Sequence, residues 1–465
     1  MKQRVNRALR RATAATLGLF MASGCASLPD TDALIEHHQG QAARFESARG
    51  PLSARASAAI LARLQQKSGA LDILEKQIVL EEAIVGSPLI LGNQVTLLQD
   101  GAATYAAMIG AIRNARDHIN LETYIIEDDE IGRQFAELLL ERQARGVQVN
   151  LIYDSVGSFG TPKAFFERLR QGGIEVLEFN PVNPLAARKP WSIYNRDHRK
   201  LLVVDGQTAF IGGINISSVY SSGSVGRRSS KAPAGSVEWR DTHIQIDGPV
   251  VGELQKLFMQ TWQKQLGQPL APKDYFPELK ARGSDIVRAI GSTYDDPYSL
   301  IYLTLISAIG NAEKSVYLTN AYFVPDPQLL DALTGAAGRG VDVKLILPSH
   351  SDSAIVFHAG RAHYSGLLQG GVKLYERVGP LLHAKTAVID GVWSTVGSTN
   401  LDWRSFLDND EVNAVILGRE FAQKMQTMFA TDLGSSQAID LAGWERRPLS
   451  WRLKEWMARM WERLL

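Results

Sequence analysis

The chain has 465 residues, 45% of them hydrophobic, and its 50 basic and 49 acidic residues give a formal net charge of +1. This length suits two or three domains with apolar cores, and the near-neutral charge argues against a protein that binds polyanions over its whole surface. A single cysteine, Cys25, excludes internal disulfides and cysteine-based metal sites.

The first 24 residues have the pattern of an export signal. Basic residues between positions 2 and 11 precede a short apolar stretch at 12–22, and small residues lead to Cys25. The segment resembles a bacterial lipoprotein signal, in which Cys25 becomes the acylated first residue; an ordinary secretory signal or a single N-terminal anchor is the alternative. We therefore expect residues 1–24 to be a signal peptide and the protein to be exported and membrane-anchored, on the periplasmic face of the inner or outer membrane.

Residues 25–86 are predicted to form a tether and N-terminal helices. The stretch from 26 to about 52 is polar and rich in Ala, Gly and Pro, whereas residues 54–84 place apolar side chains at helical spacing. No later segment approaches the ~18 uninterrupted apolar residues that a membrane-spanning helix requires.

Strands and helices alternate from about residue 87 onward. Apolar runs on both sides of Gly92-Asn93 predict a hairpin. The next segments predict a helix at 102–115, a strand at 118–126, a helix at 131–145, a strand at 147–153, a helix at 165–171 and a strand at 174–179. Such alternation is typical of a mixed sheet with helices on both faces.

The second half repeats this order. It predicts helices at 300–312, 328–338 and 354–368 and strands at 316–322, 341–347 and 372–375. Short sequences recur as well, so that Arg145-Gly146-Val147 returns as Arg339-Gly340-Val341. Residues 221–235, rich in Ser, Gly and Arg, have no counterpart in the second half and are predicted to form a mobile loop.

Each half contains the same His-x-Lys-x₄-Asp signature. The first copy consists of His198, Lys200 and Asp205, and the second, 185 residues later, of His383, Lys385 and Asp390. At ordinary amino-acid usage, a chance match is expected on the order of 0.02 times in such a chain. Gly-rich tails at matching offsets end in Asn215 and Asn400, with Ser398 in the second tail. The chain is therefore an internal duplication, and we predict one lobe at residues 87–270 and another at 271–435.

The paired signature has the groups that attack on a phosphodiester needs. One imidazole can attack phosphorus to form a phosphohistidine, while the other protonates the leaving oxygen and then deprotonates the acceptor. Lys200 and Lys385, with Asn215 and Asn400, would hold the non-bridging oxygens. This chemistry requires neither a metal nor a cofactor.

An attacking imidazole must present an unprotonated nitrogen, so its other nitrogen is expected to donate to a carboxylate. Asp241 and Glu411, which follow the two signatures, are the candidates. Asp205 and Asp390 belong to the signature, but they stand at strand-to-turn positions, where we expect them to fix the turn rather than touch substrate. Tyr124 and Tyr322 occupy corresponding places and are candidates for the pocket or for the core.

The doubled motif, with Gly-Gly-x-Asn after one copy and Gly-Ser-x-Asn after the other, resembles the phospholipase D superfamily over about residues 87–432. The stretches 195–200, 239–243, 246–249 and 401–405 resemble bacterial cardiolipin synthases in particular. The resemblance implies an α/β fold of two similar lobes, each a mixed sheet flanked by helices, related by pseudo-twofold symmetry. It also implies that His198 is the nucleophile and His383 the acid and base, which the near-symmetric duplication does not decide by itself.

The resemblance further implies transfer of a phosphatidyl group to phosphatidylglycerol, with phosphatidylethanolamine as a second candidate lipid. A phospholipase D that passes the same intermediate to water is the alternative, because the sequence does not show how well the cleft excludes water. A nuclease is disfavoured by the charge and the membrane signals, and a silent lipid-binding scaffold by the two complete motifs. We expect contact with a membrane surface, no nucleic-acid partner, and a monomer, because both motifs lie in one chain.

Residues 436–465 form the last predicted segment. From 451 onward, Trp, Leu and Met side chains share one helical face and mostly Arg, Lys and Glu the other. This pattern predicts an amphipathic helix that either contacts a bilayer interface or packs on the protein body.

Overall fold

The computed structural model describes residues 43–68, 73–183, 192–221 and 238–465. The predicted signal peptide, Cys25, most of the tether and residues 222–235 of the predicted loop lie outside these residues. Among the described residues, no helix combines the length and the apolar character needed to cross a membrane.

The first half contains, in chain order, β1 (Phe45–Ser47), β2 (Gly50–Pro51), α1 (Ala54–Ser68), α2 (Ile73–Val85), β3 (Leu89–Leu98), α3 (Gly101–Asn114), β4 (His118–Thr123), α4 (Glu130–Ala144), β5 (Gln148–Asp154), α5 (Lys163–Gln171), β6 (Glu175–Phe179), β7 (Arg196–Asp197), β8 (Lys200–Val204), β9 (Thr208–Gly212), β10 (Trp239–Arg240), β11 (His243–Asp247) and α6 (Val251–Lys264). Asp100 and Asp129 begin α3 and α4, because each carboxylate accepts a hydrogen bond from the backbone amide three residues later.

The second half contains β12 (Asp285–Ser292), α7 (Leu300–Gly310), β13 (Ser315–Asn320), α8 (Pro327–Gly338), β14 (Asp342–Pro348), α9 (Ala354–Arg361), α10 (Tyr364–Gln369), β15 (Lys373–Arg377), β16 (Leu381–Leu382), β17 (Lys385–Ile389), β18 (Trp393–Gly397), α11 (Trp403–Leu407), β19 (Asn409–Leu417), α12 (Arg419–Gly434), β20 (Ser436–Ile439), α13 (Leu441–Glu445) and α14 (Leu449–Arg459). The single helix predicted at 354–368 is wrong. It divides into α9 and α10, because the amide of His363 donates to the carbonyl only three residues back.

The two halves build sheets with the same strand order. In the first lobe the order is β6-β5-β4-β8-β9-β11-β3, with parallel pairing among β4, β5 and β6 and antiparallel pairing elsewhere. In the second lobe the order is β15-β14-β13-β17-β18-β19-β12, with the same directions. The equivalent edge strands β3 and β12 pair antiparallel, as a twofold relation between the lobes requires. The predicted α/β fold of two related lobes is confirmed.

One apolar core runs through both lobes. Ile244 in β11 and Phe258 on α6 belong to the same buried cluster as Val412 in β19 and Met425 on α12. Burying a large apolar side chain contributes about 1.5–3 kcal/mol. This shared cluster therefore fixes the position of one lobe relative to the other, which a site built from both lobes requires.

The hairpin predicted at Gly92-Asn93 is wrong, because β3 continues through these residues as one strand. Gly92 has φ +89, and the side-chain amide of Asn93 donates to the carbonyl of Ile90 at 2.8 Å. The first part of β3 pairs with β1 and β12, and the second part pairs with β11. These long-range partners override the local turn signal.

Each signature ends in a turn that its aspartate holds. Asp390 has φ +53, and its carboxylate accepts hydrogen bonds from the backbone amides of residues 313, 314 and 315 at 2.9, 2.7 and 2.8 Å. Asp205 has φ +52 and accepts from the amides of residues 116, 117 and 118. Both aspartates follow the strands β8 and β17, at the opposite end from the histidines.

Replacing Asp390 with alanine should lower the free energy of unfolding by about 2–4 kcal/mol, since three buried or part-buried amides lose a charged acceptor and alanine is disfavoured at positive φ. Asp390→Asn is the matched control, because asparagine tolerates this backbone conformation and retains one acceptor oxygen. Urea unfolding measures both variants. An unchanged midpoint for Asp390→Ala would contradict the assigned role.

Candidate active site

His198 is held by a carboxylate from the opposite lobe. Its Nδ1 lies 3.0 and 3.1 Å from the two carboxylate oxygens of Glu411 in β19. The hydroxyl of Ser398 donates to the same carboxylate, and the Glu411 carboxylate and the His198 imidazole are both buried. An ionised carboxylate can only accept, so Nδ1 carries the hydrogen and Nε2 is left unprotonated.

His383 has the mirror arrangement. Its Nδ1 lies 2.7 Å from the carboxylate of Asp241, which precedes β11 in the first lobe. Aromatic rings surround this imidazole: the ring centroid of Trp239 lies 4.8 Å away, that of Tyr220 5.8 Å and that of Tyr322 5.9 Å. Each histidine thus takes its orientation from the lobe to which it does not belong.

Two very short strand pairs produce this exchange. β7 runs parallel to the start of β19, and the amide of His198 donates to the carbonyl of Asp410 at 2.9 Å. β10 runs parallel to β16, and the amide of His383 donates to the carbonyl of Arg240 at 2.8 Å. In both cases the acceptor is the residue just before the orienting carboxylate, so backbone pairing sets the side-chain contact.

Burial makes both imidazoles hard to protonate. Desolvation lowers the pKa of His198 to about 4, with Lys200 and Lys385 adding to the effect against the charge of Glu411. Desolvation and then Lys385 lower the pKa of His383 to about 4, against the charge of Asp241. Burial alone would raise the pKa of Glu411, but its contacts with His198, Lys200 and Ser398 hold it at about 2. At neutral pH, each imidazole is therefore neutral and is hydrogen-bonded to an ionised carboxylate.

The signature lysines lie buried beside the histidines. Lys200 donates through Nζ to the carbonyl of His198 at 2.6 Å, and Lys385 donates to the carbonyl of His383. Desolvation lowers the pKa of Lys200 to about 7 and that of Lys385 to about 8, although nearby carboxylates oppose the shift. Both ammonium groups are weakly compensated charges, which is the condition in which an anionic phosphate binds most favourably.

The two asparagines differ in what they already bind. The amide of Asn215 accepts from the backbone of Ile125 at 3.2 Å and donates to the hydroxyl of Tyr220 at 3.0 Å. The side-chain oxygen of Asn400 is buried with no partner among the described residues. Ser398 donates its hydroxyl hydrogen to Glu411, the carboxylate that orients His198.

Both histidines open into one cleft of about 410 Å³. Its walls also contain both asparagines and both of the tyrosines singled out from the sequence, Tyr124 and Tyr322. The Tyr124 ring stands edge-on to His198 with centroids 5.0 Å apart. Asp205 and Asp390 are not among the lining residues.

Four other histidines, namely His243, His350, His358 and His363, are not among the residues that line this cleft. The other lining residues, to which the sequence assigned no role, include Arg196, Arg404 and Asn409. Arg404 follows Asn400 by four residues, within the stretch 401–405 that resembles cardiolipin synthases, and Val219 occupies the corresponding place in the first copy.

The fold and the paired histidines define an enzyme of the phospholipase D type. The phosphatidylserine synthase of Haemophilus influenzae Rd KW20 shares this fold, with a TM-score of 0.57, 13% sequence identity, and coverage of 80% of this chain and 93% of that one. A polyphosphate kinase from Porphyromonas gingivalis gives a TM-score of 0.50 at 12% identity, covering 82% of this chain and 55% of the other.

Sequence comparisons identify the family. The profile described as "Cardiolipin synthase, PLD-like domain" matches residues 108–222 and 305–433. The chain is 36% identical over 381 residues to the cardiolipin synthase of Geobacillus kaustophilus, covering 81% of this chain and 74% of that protein. It is also 36% identical over 359 residues to cardiolipin synthase A of Pseudomonas fluorescens, covering 76% and 71%. The chain belongs to the cardiolipin synthase family of phospholipase D-like phosphatidyltransferases, as its motifs predicted.

The pH profile of the catalysed rate is expected to be bell-shaped. Activity should be lost as the pH falls through about 4, where His198 becomes protonated, and as it rises through about 7–8, where Lys200 and Lys385 lose their charge. Steady-state rates on a short-chain phospholipid measure this profile, with unfolding followed at each pH as a control.

The variant Glu411→Gln tests the direction in which the alkaline limb of this pH profile shifts. Glu411 raises the pKa of Lys200, so removing its charge should move the alkaline limb of the residual activity to lower pH. An alkaline limb that stays in place, or moves upward, would contradict the proximity of these two groups.

Proposed function

We propose that this protein transfers a phosphatidyl group to phosphatidylglycerol through a phosphohistidine, forming cardiolipin. The observation that carries the proposal is the pair of neutral imidazoles in one cleft, each with Nδ1 bound to a buried carboxylate. Two such groups meet the two needs of the reaction, which are a nucleophile and a proton carrier.

In the first half-reaction, Nε2 of His198 attacks the phosphorus of the donor lipid. The bond from phosphorus to the head-group oxygen breaks, and His383 supplies the proton that this oxygen takes up. The pKa of His383 is low in the free site because of burial and Lys385. An anionic phosphodiester beside the ring favours its protonated form, so substrate binding prepares the acid.

In the second half-reaction, His383 accepts the proton of the acceptor hydroxyl, and that oxygen attacks phosphorus while the bond to His198 breaks. A phosphatidylglycerol acceptor yields cardiolipin, and a phosphatidylglycerol donor releases glycerol. Lys200 and Lys385 neutralise the non-bridging oxygens in both steps, and Asn400, whose side-chain oxygen has no partner among the described residues, orients the bound lipid.

The C-terminal segment provides a surface for the bilayer. α14 packs against α9, with Ala458 and Glu455 buried, and Glu455 pairs at 2.7 Å with Arg447, just before the helix. Most apolar side chains of the segment are exposed instead, although the Trp451 ring lies 4.7 Å from the Arg361 guanidinium, and Met457 and Trp461 line a small pocket with residues of α9. The C-terminal apolar surface consists of Leu449, Leu453, Trp456, Met457, Met460, Trp461 and Leu464.

This surface adjoins the catalytic cleft. A 3₁₀ turn over Glu462–Leu464 follows α14, and the last residue, Leu465, lines the cleft wall. Exposed Trp and Met beside basic side chains are suited to the region between lipid head groups and acyl chains. We propose that this contact presents lipid to the cleft and that acylation of Cys25, in an exported protein, supplies a second attachment, as single weak anchors bind reversibly.

The product assay tests the function. Purified protein given labelled phosphatidylglycerol, with and without phosphatidylethanolamine, should form cardiolipin. Phosphatidic acid as the sole product would instead support hydrolysis and contradict the transferase proposal.

His198→Ala should form neither cardiolipin nor a labelled phosphoenzyme, because the nucleophile is gone. His383→Ala should be severely slowed in product formation, by about 10²–10⁴-fold, because it lacks the proton carrier. Rapid acid-free denaturation followed by detection of protein-bound label measures the intermediate, and full activity in either variant would contradict the mechanism.

Membrane attachment is expected to depend on two separate elements. Cys25→Ala should lower the fraction of protein that sediments with membranes, and adding Trp456→Ser and Met460→Ser should release most of the rest. Each exposed apolar side chain that enters the bilayer contributes on the order of 1–3 kcal/mol.

The matched control replaces two exposed aromatic residues elsewhere, Phe159→Ser and Phe276→Ser. If the triple variant sediments as fully as the wild type, neither the acylation nor the C-terminal apolar surface is the anchor. Equal release by the control pair would show that the effect is not specific to this surface.

A further inference from the structure

Arg404 contributes a cation to the cleft that the mechanism above does not use. It lies on α11 in the cleft wall, and its Nε is buried without a hydrogen-bond partner among the described residues. Asp402 and Asp408 act on Arg404 electrostatically, but neither forms an ion pair with its guanidinium, and the carboxylate of Asp402 accepts from the amide of Ser405 at 2.8 Å.

Other arginines close to the site have a carboxylate within ion-pair distance, although the Nε of Arg196 also lacks a hydrogen-bond partner among the described residues. Arg196 lies 3.5 Å from Asp154, Arg199 lies 3.7 Å from Glu122, and Arg240 lies 2.6 Å from Asp432. These side chains are buried and serve the packing of the lobes. The Arg404 guanidinium is only partly buried, so it can meet a ligand without breaking an internal ion pair.

A second polar group is placed on the same wall. The side-chain nitrogen of Asn409 donates to Glu411 at 3.4 Å, and because a carboxylate only accepts, this contact fixes which end of the amide faces it. The oxygen of Asn409 is then left buried with no partner among the described residues. It is an acceptor available to a hydroxyl group.

This wall is on the side of His198, and it has no counterpart beside His383. Arg404 acts electrostatically on Tyr124, whose ring contacts His198. The position that corresponds to Arg404 in the first lobe is Val219, and the one that corresponds to Asn409 is Trp239, which packs on His383. The pseudo-symmetric cleft therefore has one polar, cationic wall and one aromatic wall.

The proposed reaction brings two phosphodiesters into this one cleft. The reacting phosphate becomes attached to His198 and is neutralised by the signature lysines. A phosphatidylglycerol acceptor carries a phosphate of its own, which the first phosphate repels unless a separate cation compensates it. Water and simple alcohols need no such cation.

We propose that Arg404 binds the phosphodiester of the acceptor lipid and that the oxygen of Asn409 accepts a hydrogen bond from the acceptor's second glycerol hydroxyl. This inference rests on the proposed transferase function. The subsite leaves the first glycerol hydroxyl to lose its proton to His383 and to form the new bond to phosphorus as the bond from phosphorus to His198 breaks. It selects an anionic acceptor over a neutral one.

Competition between two acceptors tests the subsite. Full-length protein is given labelled phosphatidylglycerol together with ethanol, and the ratio of cardiolipin to phosphatidylethanol is measured. Arg404→Gln should lower this ratio by about tenfold or more, the fold-change expected when a charge-assisted contact to phosphate is lost. Arg404→Lys should give an intermediate ratio, because it keeps the charge but not the forked geometry.

Arg145→Gln is the matched control, since Arg145 is an exposed arginine that does not line the cleft, and its ratio should equal that of the wild type. An Arg404→Gln ratio equal to that of the wild type overturns the subsite while cardiolipin formation by the wild type upholds the proposed function. Phosphatidylethanol without any cardiolipin from the wild type overturns the proposed function and the subsite with it. Loss of both products in Arg404→Gln in equal proportion leaves the ratio unchanged and likewise overturns the subsite.

Discussion

The exchange of carboxylates between the lobes is the interaction on which the active site depends. His198 takes its orientation from Glu411 in the second lobe, and His383 takes its orientation from Asp241 in the first. Both carboxylates are fully buried, and a buried charge that loses its partner costs several kcal/mol. Neither lobe alone has an oriented imidazole, so the shared apolar core that fixes the lobes is a requirement of the chemistry as well as of stability.

Burial then sets the protonation states within the cleft. It disfavours charge on the imidazoles and on the signature lysines, whereas the ion and hydrogen-bond contacts of Glu411 keep that carboxylate ionised. A phosphodiester supplies the negative charge that the lysines lack. The substrate thus completes the electrostatic balance of the site, and the asymmetry between the Arg404 wall and the Trp239 wall gives the two sides of a pseudo-symmetric cleft different partners.

The sequence predicted most of what is local. The duplicated signature located His198 and His383 and the strands that follow them, and the carboxylates after each motif included both orienting residues. It could not predict which carboxylate serves which histidine, because that depends on two-residue strand pairs with no periodicity to detect. The predicted hairpin at Gly92-Asn93 failed for a related reason, because β3 is held as one strand by its pairing with strands far away in the chain. Arg404 lies in the family-like stretch 401–405, but the sequence assigned it no role, because its unpaired Nε in the cleft wall is visible only in three dimensions.

The most direct test of the cross-lobe pairing is the ¹⁵N NMR spectrum of protein labelled at histidine. Signals are assigned to His198 and His383 by their loss in the respective alanine variants, and the shifts of the two ring nitrogens report where the proton resides. At neutral pH both imidazoles should carry hydrogen on Nδ1 and none on Nε2, and Glu411→Gln should perturb the signals of His198 while leaving those of His383 in place. Perturbation of His383 instead, or hydrogen on Nε2 of both rings, would contradict the account.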